Sequence, residues 1–188
     1  MQATGVGALA TLNTLWQKYN HEHPQKLWLI VLGIAGSYKR HYNIPSVVYV
    51  REEIWGDLGR RYQHYFAPSP DELRQGIPWR WIAPSPPVEL PQVTGLTLHT
   101  VSASRREAWY WKRSYPQADI ETQENAAYFL FGGSVGASIY CFRVLSNLVG
   151  HRRWEKEAAL ELLYTFTAQN VVPLYERLMD GDHGADTG

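Results

Sequence analysis

Apolar and polar positions switch between two periods along this chain, and the switches mark its elements. After Thr4-Gly-Val-Gly-Ala-Leu-Ala10, the apolar residues Leu12, Leu15, Trp16 and Tyr19 recur at helical spacing and predict an opening helix. Leu27-Trp-Leu-Ile-Val-Leu32 is an unbroken apolar run, the pattern of a central strand covered on both faces, and it closes in Gly33-Ile-Ala-Gly-Ser37. Ser46-Val-Val-Tyr-Val50 predicts a second strand continuing toward Asp57. Leu96-Thr-Leu-His-Thr-Val101 alternates as a strand, and Ser104 with Glu107 forms a capping-box pattern for a helix from Arg105 to Tyr115. Asp119-Ile-Glu121 then reads as a short strand end. It runs into a helix that starts on small residues (Ala126, Ala127) and reaches about Phe131, before a Gly132-Gly133 turn. Ala137 to Leu145 is a buried strand ending in Ser146-Asn147. The last element, Trp154 to Met179, is an amphipathic helix that Pro173 should kink or divide.

This order of helices and strands predicts an α/β fold, a three-layer αβα sandwich around a central mixed sheet. Residues 1–179 read as one domain, and 180–188 as a disordered tail. The span 60–92 carries Pro68, Pro70, Pro78, Pro84, Pro86, Pro87 and Pro91 among Tyr62, Tyr65, Phe66, Trp79 and Trp81. Proline excludes regular structure from most of it, apart from one short helix that Ser69-Pro-Asp-Glu could start, and the aromatics argue for a functional or interface loop.

Composition narrows the function classes. A length of 188 residues suits one core, and Lys+Arg and Asp+Glu balance at 18 each, which gives no footprint for nucleic acid or an anionic membrane surface. Eight Trp and 12 Tyr exceed what a core needs, so part of them should cover an interface or a ligand. Cys141 is the single cysteine. With no signal-peptide pattern and no apolar run near eighteen residues, the sequence predicts a soluble cytoplasmic protein.

Three predicted strand ends carry small or polar residues: Gly33–Ser37, Glu121–Asn125 and Ser146-Asn147. Ligands of open α/β sheets bind at such carboxyl edges. Glu124, at a strand-to-helix junction, is a carboxylate able to accept two hydrogen bonds from a vicinal diol; the bland alternative is a helix-start Glu serving the macrodipole. Gly5, Gly7 and Ala10 match G-x-G-x-x-A, but only four residues precede the motif and no acidic residue closes the next strand, so dinucleotide binding is rejected. His21-Glu-His23 lacks a third metal ligand, and Lys39-Arg40 reads as a solvated basic pair before it reads as a phosphate site. The expectation is therefore no metal and no cofactor.

Thr4-Gly-Val-Gly7, Gly33-Ile-Ala-Gly-Ser-Tyr38, Asp57-Leu-Gly59, Leu96-Thr-Leu-His-Thr-Val101, Ile120-Glu-Thr-Gln-Glu-Asn-Ala-Ala127 and Arg143-Val-Leu-Ser-Asn147 fall in one order. Together they resemble the nucleoside phosphorylase and nucleosidase superfamily, most closely the futalosine hydrolases of menaquinone biosynthesis. The resemblance implies a nucleoside phosphorylase-like fold and an N-glycosyl hydrolase that releases hypoxanthine from futalosine, leaving dehypoxanthine futalosine. It implies catalytic roles for Glu124, binding the ribose diol, and Asn147, holding the purine as it leaves. Gln123 would lie against the sugar, Ala35 and Gly36 would line the site, and Val101 would lie near the base. It also implies a small-molecule purine nucleoside as partner, and a homo-oligomer, for which span 60–92 is the expected surface.

Two departures from the family pattern stand out. Where Ser/Thr-Met-Glu-Gly is usual, this chain has Thr122-Gln123-Glu124-Asn125, which puts a polar amide where an apolar face should meet the ribose and adds bulk at the helix start. The family also carries a strand before Thr-Gly-Val-Gly whose end supplies the acidic residue that activates water. Here both are expected to be missing, with an exposed sheet edge in consequence. A second reading follows, a catalytically impaired homologue that binds a nucleoside or acts in an assembly.

Overall fold

The computed structural model describes residues 3–19, 27–70 and 78–183. His21 and His23, and the short helix expected after Ser69, lie outside them. Helix α1 (Ala8–Tyr19) is followed by strands β1 (Trp28–Ser37) and β2 (Ser46–Trp55). The proline-rich span holds more order than its composition predicts. Three short strands, β3 (Gly59–Arg61), β4 (Phe66–Pro68) and β5 (Arg80–Ile82), use the stretches between the prolines, and Pro68, which has no N–H to pair, comes only as the last residue of β4.

Strand β6 (Gln92–Thr97) begins directly after Pro91 and ends before the predicted Leu98–Val101 half. The backbone N–H of His99 is drawn out of the ladder to Oδ2 of Asp57 at 2.6 Å, which turns the chain. Helix α2 (Arg105–Ser114) has the predicted capping box from Ser104 and Glu107. Strand β7 (Ile120–Thr122) leads into α3 (Asn125–Val135), which passes through Gly132-Gly133 instead of turning there. A Cβ at Gly132 would fall 2.5 Å from Cδ1 of Ile139, so this glycine serves close helix–sheet packing. The helix ends at Gly136, in the left-handed region at φ 70°. Strand β8 (Ser138–Leu148) precedes α4 (Lys156–Phe166) and α5 (Val172–His183). Between them Thr167–Val171 forms a π turn, so the long helix divides just before Pro173 as expected.

The main sheet is mixed, in the order β5-β2-β6-β7-β1-β8, and an added β2–β8 pairing curls it toward a closed barrel. Strands β2, β6 and β7 run parallel to one another and antiparallel to β1 and β8. The apolar run in β1 is less central than its pattern predicts. Trp28–Ser37 pairs with β8 along its length, while β7 reaches only Gly36 and Ser37 on the other edge. Among the described residues no strand pairs with the other edge of β1 over Leu29–Ala35. An apolar cleft of about 570 Å³ opens beside it, walled by Leu15, Tyr128, Tyr175 and Met179.

Packing follows the curl. Phe142 of β8 meets Tyr49 of β2 and Phe166 of α4 at ring separations of 5.4 and 5.3 Å, joining sheet and helix layers. Each such buried ring contributes on the order of 2–3 kcal/mol from apolar burial. A second cluster joins Ile54, Leu96 and Leu98 to Tyr110, Trp111 and Tyr115, which seats α2. Among the described residues no helix is long and apolar enough to cross a membrane, and no group of His, Cys, Asp and Glu could hold a metal ion.

The interior also holds charge. Glu53 is fully buried and accepts from Thr97 Oγ1 at 2.8 Å and Asn125 Nδ2 at 3.0 Å. Arg143 donates from Nε to Asn125 Oδ1 at 2.7 Å, and its Nη2 reaches the same oxygen. Two glycines make the room. A Cβ at Gly33 would lie 1.9 Å from Arg143 Nη1, and one at Gly95 would lie 2.1 Å from Glu53 Oε2. Burial pushes the Glu53 carboxyl up to about 7, against the opposing pull of Thr97, Asn125 and Arg143.

Candidate functional site

Parallel pairing of β1 with β8 sets Gly36 beside Asn147, and β7 sets Glu121 on the other side of Gly36. One glycine therefore separates two polar strand-end residues. The register slips between Ala35 and Gly36, a bulge that re-aims the end of β1. A Cβ at residue 36 would come within 2.9 Å of Val149 Cγ2 and 3.4 Å of Asn147 Nδ2, so only glycine lets the Asn147 amide lie this close to the backbone. Asn147 Oδ1 accepts from Ser146 Oγ at 3.1 Å, and Nδ2 donates to Leu148 O at 3.1 Å. Ala35 is buried, and its carbonyl accepts from Ser146 Oγ at 3.3 Å.

Glu124 occupies the N-cap position of α3 but makes no side-chain capping bond. Its Oε1 instead accepts the backbone N–H of Gly7 at 2.9 Å, which brings the start of α1 to the same edge. That bond ties Gly7 to a carboxylate and not to a phosphate. Gln123 is turned aside: its Nε2 donates to the carbonyl of His99 at 3.1 Å. Val101 lies on the rim, 60% exposed, beyond the end of β6. Asn125 does not crowd the helix start, as its bulk predicted. It points into the barrel and bridges Arg143 and Glu53.

Two arrangements at this edge were not assigned from sequence, although their residues lie in the motifs quoted above. Glu121 is 6% exposed and accepts from Ser102 through both backbone N–H and Oγ, each at 2.7 Å, and from the Tyr38 hydroxyl. Burial raises its carboxyl above the ordinary range, while these three donors pull it back. Burial and the Glu121 charge raise Tyr38. The second is a His–Asp pair: Asp57 Oδ1 meets His99 Nδ1 at 2.9 Å while Oδ2 holds the backbone N–H of the same residue. No local spacing announces either arrangement. Lys39 forms an ion pair with Asp119 at 3.4 Å, which leaves it less suited to hold phosphate.

No family model matches the sequence, and no curated protein matches it. Solved structures do match. The Campylobacter jejuni 5′-methylthioadenosine/S-adenosylhomocysteine nucleosidase superposes with a TM-score of 0.73 at 13% identity, over 93% of this chain and 79% of that one. A Borrelia burgdorferi protein assigned as a nucleosidase of the same name, bound to adenine, gives 0.67 at 16% identity, over 87% and 73%. The Streptococcus pyogenes S-adenosylhomocysteine nucleosidase, in complex with 5-methylthiotubericidin, gives 0.61 at 16%, over 87% and 69%. The fold is nucleoside phosphorylase-like. Identities this low carry the architecture, a mixed sheet with flanking helices, and the polar edge around Gly36 lies within that architecture.

Proposed function

We propose that this protein hydrolyses the N-glycosidic bond of a purine nucleoside, with futalosine as the substrate its motifs favour and hypoxanthine as the released base. The observation that carries the reading is the convergence of Asn147, Gly36 and the Glu121–Glu124 segment on one sheet edge. Glu124 keeps unfilled acceptor sites besides the one given to Gly7, so it can take both hydroxyls of a ribose diol. Asn147 holds the base. Its Oδ1 is engaged by Ser146, while Nδ2 has a second N–H beyond the one given to Leu148. A spare donor suits O6 and N7 of a 6-oxopurine, both of which are acceptors. Hydrogen bonding at that position stabilises the departing base as negative charge grows on it, and Glu124 stabilises the oxocarbenium-like sugar.

The amide of Gln123 is spent on the His99 carbonyl, which gives the polar end of this departure from the family pattern a partner outside the sugar site. Self-association fits the exposed Tyr62 and Tyr65, stacked at 4.6 Å within the aromatic span, and we assign the homo-oligomer contact to that surface. The test is base release from futalosine, inosine and methylthioadenosine, with and without phosphate. Phosphate-independent release of hypoxanthine from futalosine supports the full reading. Release from methylthioadenosine instead keeps the hydrolase and changes the substrate. Nucleoside binding without release by the folded protein supports the impaired homologue.

A further inference from the structure

N-glycosidic hydrolysis needs a group to take the proton of the attacking water, and the carboxylates at this edge are already engaged. Glu121 is held by Ser102 and Tyr38, Glu53 by Thr97 and Asn125, and the acceptor sites that Glu124 keeps besides the one given to Gly7 are assigned above to the ribose diol. Asp57 is held by His99. The imidazole that Asp57 orients is the remaining acceptor: with Nδ1–H donated to the carboxylate, Nε2 keeps its lone pair. Among the described residues Nε2 has no hydrogen-bond partner, and the His99 side chain is 41% exposed.

Two independent contacts place this imidazole at the substrate edge. The Gln123 amide holds the His99 carbonyl, one residue from Glu124. The His99 ring also lies 5.7 Å from that of Trp55 at 33°, and Trp55 packs in one cluster with Ala8 of α1 and Ala126 and Ala127 of α3. His99 is thereby fixed to the corner where α1 and α3 both begin. Across the sheet, β7 separates β6 from β1 and its neighbour β8, so His99 follows a strand on the far side of Glu124 from Asn147. A base group there faces the sugar side of a nucleoside whose purine lies on Asn147.

We propose that His99, oriented by Asp57, is the general base that activates water for glycosidic cleavage. This rests on the nucleosidase reading above. In the step, a water O–H bond breaks and its proton moves to Nε2 of His99, while the water oxygen forms the bond to C1′. The C1′–N9 bond breaks with its electron pair going to the purine, which takes one proton from solvent. Imidazolium His99 then returns its proton to solvent. Asp57 is a positioning residue that holds the tautomer and steadies the imidazolium.

The experiment compares wild type, His99→Gln, Asp57→Asn and His99→Ala on the nucleoside that wild type cleaves. His99→Gln is expected to lower kcat about 100-fold with KM little changed, and to remove the acid limb of the kcat–pH profile. Asp57→Asn is expected to lower kcat less, and free imidazole to restore part of the His99→Ala rate. Nitrogen-15 NMR of wild type is expected to show neutral His99 protonated on Nδ1. A His99→Gln variant with wild-type kcat and an intact acid limb, or His99 protonated on Nε2, overturns this inference and leaves the nucleosidase reading standing. A folded wild type that releases no base from any nucleoside overturns both.

Discussion

The Oδ1 atom of Asn125 accepts from Nε of Arg143 at 2.7 Å, inside a barrel where both residues are almost wholly buried. On the other side the Asn125 amide donates to Glu53. A buried guanidinium and a buried carboxyl thus share one neutral bridge, in space that Gly33 and Gly95 leave open.

Removing that bridge should cost more than an ordinary side-chain truncation. Asn125→Ala leaves Arg143 donors and a Glu53 oxygen short of partners in a low-dielectric interior, where each loss is expensive. The expected loss is on the order of 3 kcal/mol. Urea unfolding should show it as a lower midpoint at unchanged slope.

Glu53 makes stability depend on pH in a known direction. Its carboxyl is raised from 4.5 to about 7, chiefly by burial, so the folded state keeps a proton that the unfolded chain releases. The stabilisation is complete below the unfolded value of 4.5 and is lost as pH rises through about 7. Its size is on the order of 3 kcal/mol. Glu53→Gln, which cannot ionise, should flatten the decline in unfolding free energy between pH 4.5 and about pH 7.

Gly36→Ala tests the close approach at the sheet edge. The new methyl must displace Val149 or the Asn147 amide, which lie 2.9 and 3.4 Å from its position. A stability loss of about 1–2 kcal/mol is expected from overpacking. Base release should fall further than stability does, by about 10-fold or more in kcat/KM, if Asn147 holds the purine as proposed.

Glu124→Ala separates function from fold. The carboxylate makes one hydrogen bond to the Gly7 backbone and no cap, so unfolding free energy should change by about 1 kcal/mol or less. Base release should drop about 100-fold or more in kcat/KM if Glu124 holds the sugar diol. A variant of normal stability and normal turnover removes Glu124 from the site.

What the sequence determined by itself was local. Ser104 and Glu107 specify the start of α2 because a capping box closes within four residues. Pro173 divides the last helix because its ring and missing N–H disrupt a ladder only a few residues long. The apolar runs of β1 and β8 and the small residues opening α3 were legible for the same reason: periodicity and steric bulk act over a turn or a pleat. Tertiary structure decided the rest. That β1 is paired along its full length on one edge and only at Gly36 and Ser37 on the other, that Gly132 stays helical against Ile139, and that Asn125 bridges the barrel all depend on which strand lies beside which. The pairing of Asp57 with His99, and of Glu124 with Gly7, spans 42 and 117 residues. Hydrogen bonds of that reach leave no period in the sequence. They form because the β-sheet order brings those backbones together.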